Sequence, residues 1–341
     1  MTDRSRRPSG PWERESGVGI SNWVGYFWAR AGEQLARALP ESLAMPIAGR
    51  LAEGYKRFSR QRMVMIRKHL KMVCPDSSEE EIDAMVDRAV ELYARYWFET
   101  FRTPDRSRIE IASSVTTVDE RYLADVMKEG NGAIIAMPHL GNWDVAGAYC
   151  AEHYGTPLVV AELLKPRAAF DYWVKTRERL GMEVVPLDGT SAPVRALIKA
   201  LKDGRPVALV ADRDMTSDGV EVTFFGEKTT IPAGPGTLAA RTGAPVVPAG
   251  VYIEGPGRYR AVVRPPLRAE ESLSRADQAK VLSQRLVGEF ETLIRAEPEQ
   301  WHLFTPNWPS DWEALGRTMP GGDSLDSASP ASGPEPGNEE Q

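Results

Sequence analysis

Residues 132–144 read GAIIAMPHLGNWD, and the way this stretch changes character decides the fold. Gly132 to Met137 is a short apolar run closed by Pro138, too short for a helix and apolar at every position, as in a strand buried on both faces. From Asp144 to Glu152 the pattern becomes helical. Working outward, Leu158–Ala161, Val184–Leu187 and Pro206–Ala211 repeat the apolar run, with helical spacing over 167–180 and 191–202 between them. Strand alternating with helix predicts an α/β fold with a mainly parallel central sheet flanked by helices. Val220–Phe225, Pro245–Tyr252 and Tyr259–Val263 add strands, and 275–296 is a long helix.

Upstream, Ser77 with Glu80 and Ser78 with Glu81 offer capping boxes. Ile82, Met85, Val86, Ala89, Val90, Tyr93 and Trp97 then recur at helical spacing until Pro104. Residues 19–104 form an N-terminal amphipathic helical region. Trp23, Val24, Tyr26, Phe27 and Trp28 cluster there, followed by Leu35, Leu39, Leu43 and Leu51 among arginines. Aromatic and leucine faces beside arginine suit a helix lying in a membrane interface; packing into the core accounts for the same residues equally well. Tyr55 to Cys74, with Arg57, Arg60, Arg62, Arg67, Lys68 and Lys71, extends the basic surface. The expected layout is disorder over 1–18, one domain over 19–313 with its α/β core at 117–313, and a disordered acidic tail over 314–341.

The net charge of −6 hides an asymmetry: residues 1–75 hold 14 Lys and Arg against 6 acids, and 318–341 hold five acids and no base. Such a basic quarter fits an anionic surface, although a solvated helical face has the same composition. No stretch has the ~18–20 uninterrupted apolar residues of a membrane-spanning helix, and the first twenty residues lack the apolar centre of a signal peptide. A protein peripheral to the cytoplasmic side of the inner (plasma) membrane is the expectation. Two cysteines, Cys74 and Cys150, make no disulfide framework, and four scattered histidines have no metal-ligand spacing. No metal, cofactor or nucleic-acid partner is expected.

Standard nucleophile and nucleotide motifs are absent. Cys150 lies on an apolar helical stretch, where a packed thiol is the commoner reading. His139 follows the first strand at the end where open α/β sheets bind ligands. Histidine suits general-base work near neutrality. Asp144, five residues on and one turn into the helix, can bond the second ring nitrogen and fix its tautomer. The bland alternative makes His139 a turn residue and Asp144 a helix-terminus charge.

The segment PHLGNWD, residues 138–144, resembles the His-x4-Asp/Glu motif of the lipid A biosynthesis (lauroyl) acyltransferase family and its phosphatidylinositol mannoside branch. The resemblance continues through VVAE at 159–162, Lys165-Pro166, ADRD at 211–214, GVEVTFFG at 219–226, IPAGP at 231–235 and PEQWHL at 298–303. It implies a glycerol-phosphate-acyltransferase-like fold, acyl-CoA as co-substrate and palmitoyl transfer to a mannose hydroxyl of a glycolipid. The aspartate at 144 and the basic N-terminus resemble the mannoside branch more than the lipid A enzymes. The resemblance also carries Glu162 and Arg177 into the acceptor pocket. Asp212, Arg213 and Asp214 end a strand on the same sheet edge as candidate substrate-binding groups; ordinary surface or ion-pair charges are the alternative. Arg177 and Arg213 suit bidentate phosphate binding. A second glutamate beside the histidine is expected, with Glu221 as the candidate; a solvent-facing strand position competes. Two rival functions stand: a late acyltransferase using another glycolipid, and an idle lipid-binding relative.

Overall fold

The computed structural model describes residues 20–38, 50, 53–214 and 219–317. The tail expected over 1–18, residues 318–341 of the tail expected over 314–341, and Leu39, Leu43 and Leu51 lie outside the described residues; 314–317 are described, with Ala314 closing a helix.

A seven-stranded sheet forms the centre. Its strands are β1 (Val115–Val118), β2 (Ala133–Met137), β3 (Leu158–Glu162), β4 (Glu183–Leu187), β5 (Pro206–Val210), β8 (Val246–Gly255) and β9 (Arg258–Val263). They lie in the order β1-β9-β8-β2-β5-β3-β4. β8, β2, β5, β3 and β4 run parallel; β9 pairs antiparallel with β8, and β1 runs parallel to β9. The apolar run at 133–137 is buried throughout because both faces are covered. Ile134 and Ala136 face one cluster with Leu238, Leu286 and Phe290. Ala133, Ile135 and Met137 face the other, with Val145, Ala148 and Tyr96. Strand alternation divides one apolar segment between two cores.

Six helices follow the chain from its N-terminal side into the first crossovers: α1 (Ile20–Ala38), α2 (Arg60–Val73), α3 (Glu79–Arg102), α4 (Arg108–Ser113), α5 (Arg121–Lys128) and α6 (Trp143–His153). Further along the chain lie α7 (Arg167–Arg179), α8 (Ala192–Lys202), α9 (Gly234–Thr242), α10 (Arg275–Ala296) and α11 (Pro309–Ala314). α3 opens on the Ser78–Glu81 capping box and stops at Arg102, before Pro104. Of the two boxes offered by the sequence, the later one is used.

Three elements differ from the sequence expectation. β1 and α5 precede the first apolar run, and β7 (Glu227–Ile231) pairs with β6 (Val220–Phe224) as a separate hairpin. β7 reads EKTTI, with no apolar run to announce it. Phe225 and Gly226 both take positive φ, 50° and 82°, the backbone of a tight two-residue hairpin turn.

The carboxyl edge of the sheet is what positions the site. β2 and β5 are adjacent and parallel, with Met137 opposite Val210. Two residues beyond each lie His139 and Asp212. Matched register on neighbouring strands, ~4.8 Å apart, brings these two side chains together. The Ala211 N–H donating to the Met137 carbonyl at 2.9 Å carries the pairing past the strand ends.

Candidate active site

His139 is held by Asp212. Its ring Nδ1 lies 2.6 Å from Asp212 Oδ1, and its backbone N–H donates to Asp212 Oδ2 at 2.9 Å. Trp301 Nε1–H donates to the same Oδ2 at 2.8 Å. Asp212 is fully buried while the His139 side chain stays 28% exposed. Burial alone raises a carboxyl group's pKa; the His139 ring and the hydrogen bonds from His139 and Trp301 outweigh it and hold Asp212 below the usual carboxylate range. An ionised carboxylate only accepts, so Nδ1–H is the donor and Nε2 is left to face the pocket as a base.

The carboxylate expected to serve His139 does something else. Asp144, at the start of α6, accepts from Arg177 Nε at 2.9 Å and lies 3.5 Å from the Tyr96 hydroxyl. The reason is geometric: the helix begins at Trp143, so its first turn points Asp144 toward α3 and α7 rather than back to the loop. Burial opposes the Arg177 charge, but the Asp144 carboxylate outweighs it and raises the guanidinium pKa. Tyr96 is pushed well above its ordinary value by burial and then by Asp144. Asp144 and Arg177 therefore brace one wall.

Glu221 is also placed differently from the expectation. It sits on β6, half-exposed, paired with Lys228 at 3.2 Å on the neighbouring strand, and does not line the pocket. A strand position alternating outward cannot turn a side chain to the sheet's carboxyl edge. Asp214 accepts from the Gly219 N–H at 2.9 Å and from Thr230 Oγ1 at 3.0 Å, at the base of that hairpin. Glu162, Arg177 and Arg213 do line the pocket.

The pocket has a volume of about 460 Å³. Met137, Val159, Phe170, Met182, Ala208 and Val210 make one part of it apolar. Tyr93, Tyr96, Trp97 and Trp143 supply aromatic walls, with the Trp143 ring edge-on to His139 at 5.3 Å. Gly141, at φ 59°, closes the loop under His139; a Cβ there would lie 1.7 Å from the Val251 carbonyl oxygen, so only glycine fits. Cys150 is buried and its thiol is pushed up to about 12 by burial, the state of a packed side chain. A larger cleft of about 870 Å³ is lined by Arg88, Glu254, Arg258, Glu297 and Glu299 beside Leu92, Ile253 and Ala296, a more polar wall than that of the pocket at His139. Among the described residues, no group of three or more His, Cys, Asp or Glu is placed to hold a metal ion.

Two of the pocket residues that the sequence reading did not single out carry buried polar atoms. His302 lines the pocket with both ring nitrogens buried and unpaired among the described residues, and burial, with His139 nearby, pushes its pKa down to about 3. Thr305 lines it too, its hydroxyl buried and unpaired in the same sense. Both belong to the segment that begins PEQWHL, legible as a signature but not as a wall of the site.

An α/β fold carrying a buried carboxylate–histidine pair over a partly apolar slot is the frame of an acyltransferase, and comparison with known proteins agrees. Residues 19–310 match the sequence profile of the bacterial lipid A biosynthesis acyltransferases, and the chain belongs to that family. It is 36% identical to the phosphatidylinositol mannoside acyltransferase of Mycolicibacterium smegmatis over 282 residues, 82% of this chain and 90% of the relative. The enzymes of the same name from Mycobacterium tuberculosis strains CDC 1551 and H37Rv are each 36% identical over 289 residues, 83% of this chain and 89% of theirs. The chain is an acyltransferase.

Proposed function

We propose that this enzyme transfers a fatty acyl group, palmitoyl by the resemblance, from acyl-CoA to a mannose hydroxyl of a phosphatidylinositol mannoside. The His139–Asp212 pair at the mouth of the partly apolar pocket carries this reading. His139 Nε2 takes the proton of the hydroxyl as its oxygen attacks the thioester carbonyl carbon. The tetrahedral oxyanion finds its donors in the Trp143 and Asp144 backbone N–H groups that open α6, since Asn142 already caps the Val145 N–H. The C–S bond then breaks, the carbonyl reforms, and the CoA sulfur leaves as thiolate, protonated by the imidazolium. No acyl-enzyme forms. The similarity to the mannoside enzymes supports the acceptor. Arg213 and Arg62 at the pocket suit the phosphate groups of either substrate.

The enzyme works, in this reading, from the cytoplasmic face of the membrane. No described helix is long and apolar enough to cross a bilayer, while α1 leaves Trp23 and Phe27 exposed, at 41% and 63%. The acceptor is itself a lipid, so a peripheral enzyme reaches it without extracting it far.

Labelled palmitoyl-CoA and phosphatidylinositol mannosides in vesicles test the proposal. His139→Ala is expected to lower turnover by about 10²–10⁴-fold with the melting temperature unchanged. Substantial turnover in that variant, or acyl transfer to lipid A precursors and not to mannosides, overturns it.

A further inference from the structure

The segment Gln300–His302 makes more contacts with the catalytic loop than a passing chain requires. Gln300 is buried, and its amide pairs with both backbone groups of Ile253 on β8: the Ile253 N–H donates to Oε1 at 2.7 Å, and Nε2 donates to the Ile253 carbonyl at 3.1 Å. The Gly141 N–H donates to the Gln300 carbonyl at 2.9 Å, and the His302 N–H donates to the His139 carbonyl at 2.7 Å. Between these two bonds, the buried Trp301 donates its indole N–H to Asp212. Backbone bonds thus grip the loop on either side of Leu140 while one side chain grips the acid that orients His139. Beyond the segment, the Leu303 carbonyl accepts from buried His69, whose other nitrogen lies 3.0 Å from Asp311.

We infer that Gln300–His302 is a positioning strap for the His139–Asp212 pair, and that the Trp301 indole N–H is its determining contact. This rests on the acyl-transfer reading above. Asp212 Oδ2 receives two donors, the His139 backbone and Trp301, which fix the carboxylate plane and leave Oδ1 aimed at the ring. The indole also spreads the carboxylate charge. Without it, Asp212 is held by His139 alone, through the backbone N–H at Oδ2 and the ring at Oδ1, and presents a more concentrated charge that stabilises the imidazolium of the variant relative to wild type. The other charged or titratable groups that line the pocket with His139 are Arg213, next to Asp212; the Asp144–Arg177 pair, from α6 and α7; Arg62 of α2; Tyr93 and Tyr96 of α3; Glu162 of β3; and His302. None of them bonds Oδ2.

The test removes the N–H and keeps the shape. Trp301→benzothienylalanine puts sulfur where the N–H stood; Trp301→Phe is the simpler second variant. Both full-length proteins are compared with wild type in palmitoyl transfer and by NMR of the His139 Nδ1 proton. Expected are a kcat about tenfold lower at unchanged KM and a low-pH limb of kcat/KM displaced to higher pH. The Nδ1 proton should exchange faster with water. A variant that keeps wild-type kcat, pH limb and Nδ1 proton overturns the strap. So does one that loses only thermal stability, since a purely structural tryptophan moves melting and not the pH limb. If wild type itself transfers no acyl group, the function fails instead, while the NMR comparison still decides whether Trp301 holds the pair.

Discussion

Two aspartates lie near His139 in the folded protein, and their surroundings assign them different work. Asp212 touches the ring; Asp144 touches Arg177. Asp212→Asn leaves the shape nearly intact but replaces an acceptor by an amide that can turn its NH₂ to the ring, favouring the wrong tautomer. Turnover should fall about 10³–10⁴-fold with little loss of stability. Asp144→Asn strips a largely buried guanidinium of its charge partner, for which about 3–5 kcal/mol of stability is at risk. Its turnover should fall less than its melting temperature suggests, and Asp144→Leu combined with Arg177→Leu should recover part of the stability. Turnover and urea midpoints for the set separate the roles. If Asp144→Asn proves the more damaging to kcat in a stable protein, the geometric assignment is wrong. The sequence pointed to His139 and to the wrong partner for a physical reason: spacing along the chain is visible in one dimension, whereas Asp212 is 73 residues away.

At the scale of elements, the missing partner was nonetheless encoded. The runs GAIIAMPH and PVALVAD are adjacent parallel strands, and aligning their last strand residues places His139 beside Asp212. Knowing which strands are neighbours is a tertiary fact, so the apolar runs disclosed the sheet but not its order. β7 stayed hidden because a polar hairpin strand has no period-two apolar signal. The strap at 300–302 escaped for a similar reason, since its value lies in contacts with β8 and the catalytic loop. This segment also has an acid weakness. The unfolded chain protonates His302 near pH 6.5, whereas burial delays the folded protein to about 3. Between these values the unfolded state binds more protons, so stability falls as pH falls, by roughly 1.4 kcal/mol per pH unit. Asp311, just beyond the strap, has its carboxyl held far below the ordinary range by His69 and Lys68 against the effect of burial. Its contribution is present above the ordinary carboxylate pKa and is lost only below it. From pH 6.5 to 4.5 the slope of these two groups therefore belongs to His302. His302→Phe should flatten the urea-midpoint profile in that window and leave the steeper loss below pH 4 in place; an unchanged slope refutes the burial of a neutral imidazole.

At the scale of the whole molecule, the N-terminal helices carry exposed aromatics and reach the pocket through Arg62. α1 packs on α3, with Glu33 and Ala36 buried and Gly32 beside Phe101. Trp23, Phe27 and Leu35 stay exposed, as does Phe58 at 86%. α1 thus packs one face on the core and leaves Trp23 and Phe27 of the aromatic cluster uncovered. Arg62 of α2 lines the pocket, so this helix adjoins it. A bilayer suits such a face on two counts. Fully burying an aromatic side chain is worth about 1.5–3 kcal/mol, and each cation near an anionic leaflet adds about 1 kcal/mol. Partial immersion realises only a fraction of the first term. Replacing Trp23 and Phe27 together by Ser should therefore weaken binding to anionic vesicles by about tenfold. Raising the salt should weaken the wild type further by screening the cations. Transfer to an acceptor dispersed in detergent, which needs no docking, should survive the double substitution, whereas transfer to acceptor in vesicles should drop with binding. Co-sedimentation and the two assays decide it: equal losses in both place these aromatics in the fold, and no loss in either removes α1 from the membrane contact.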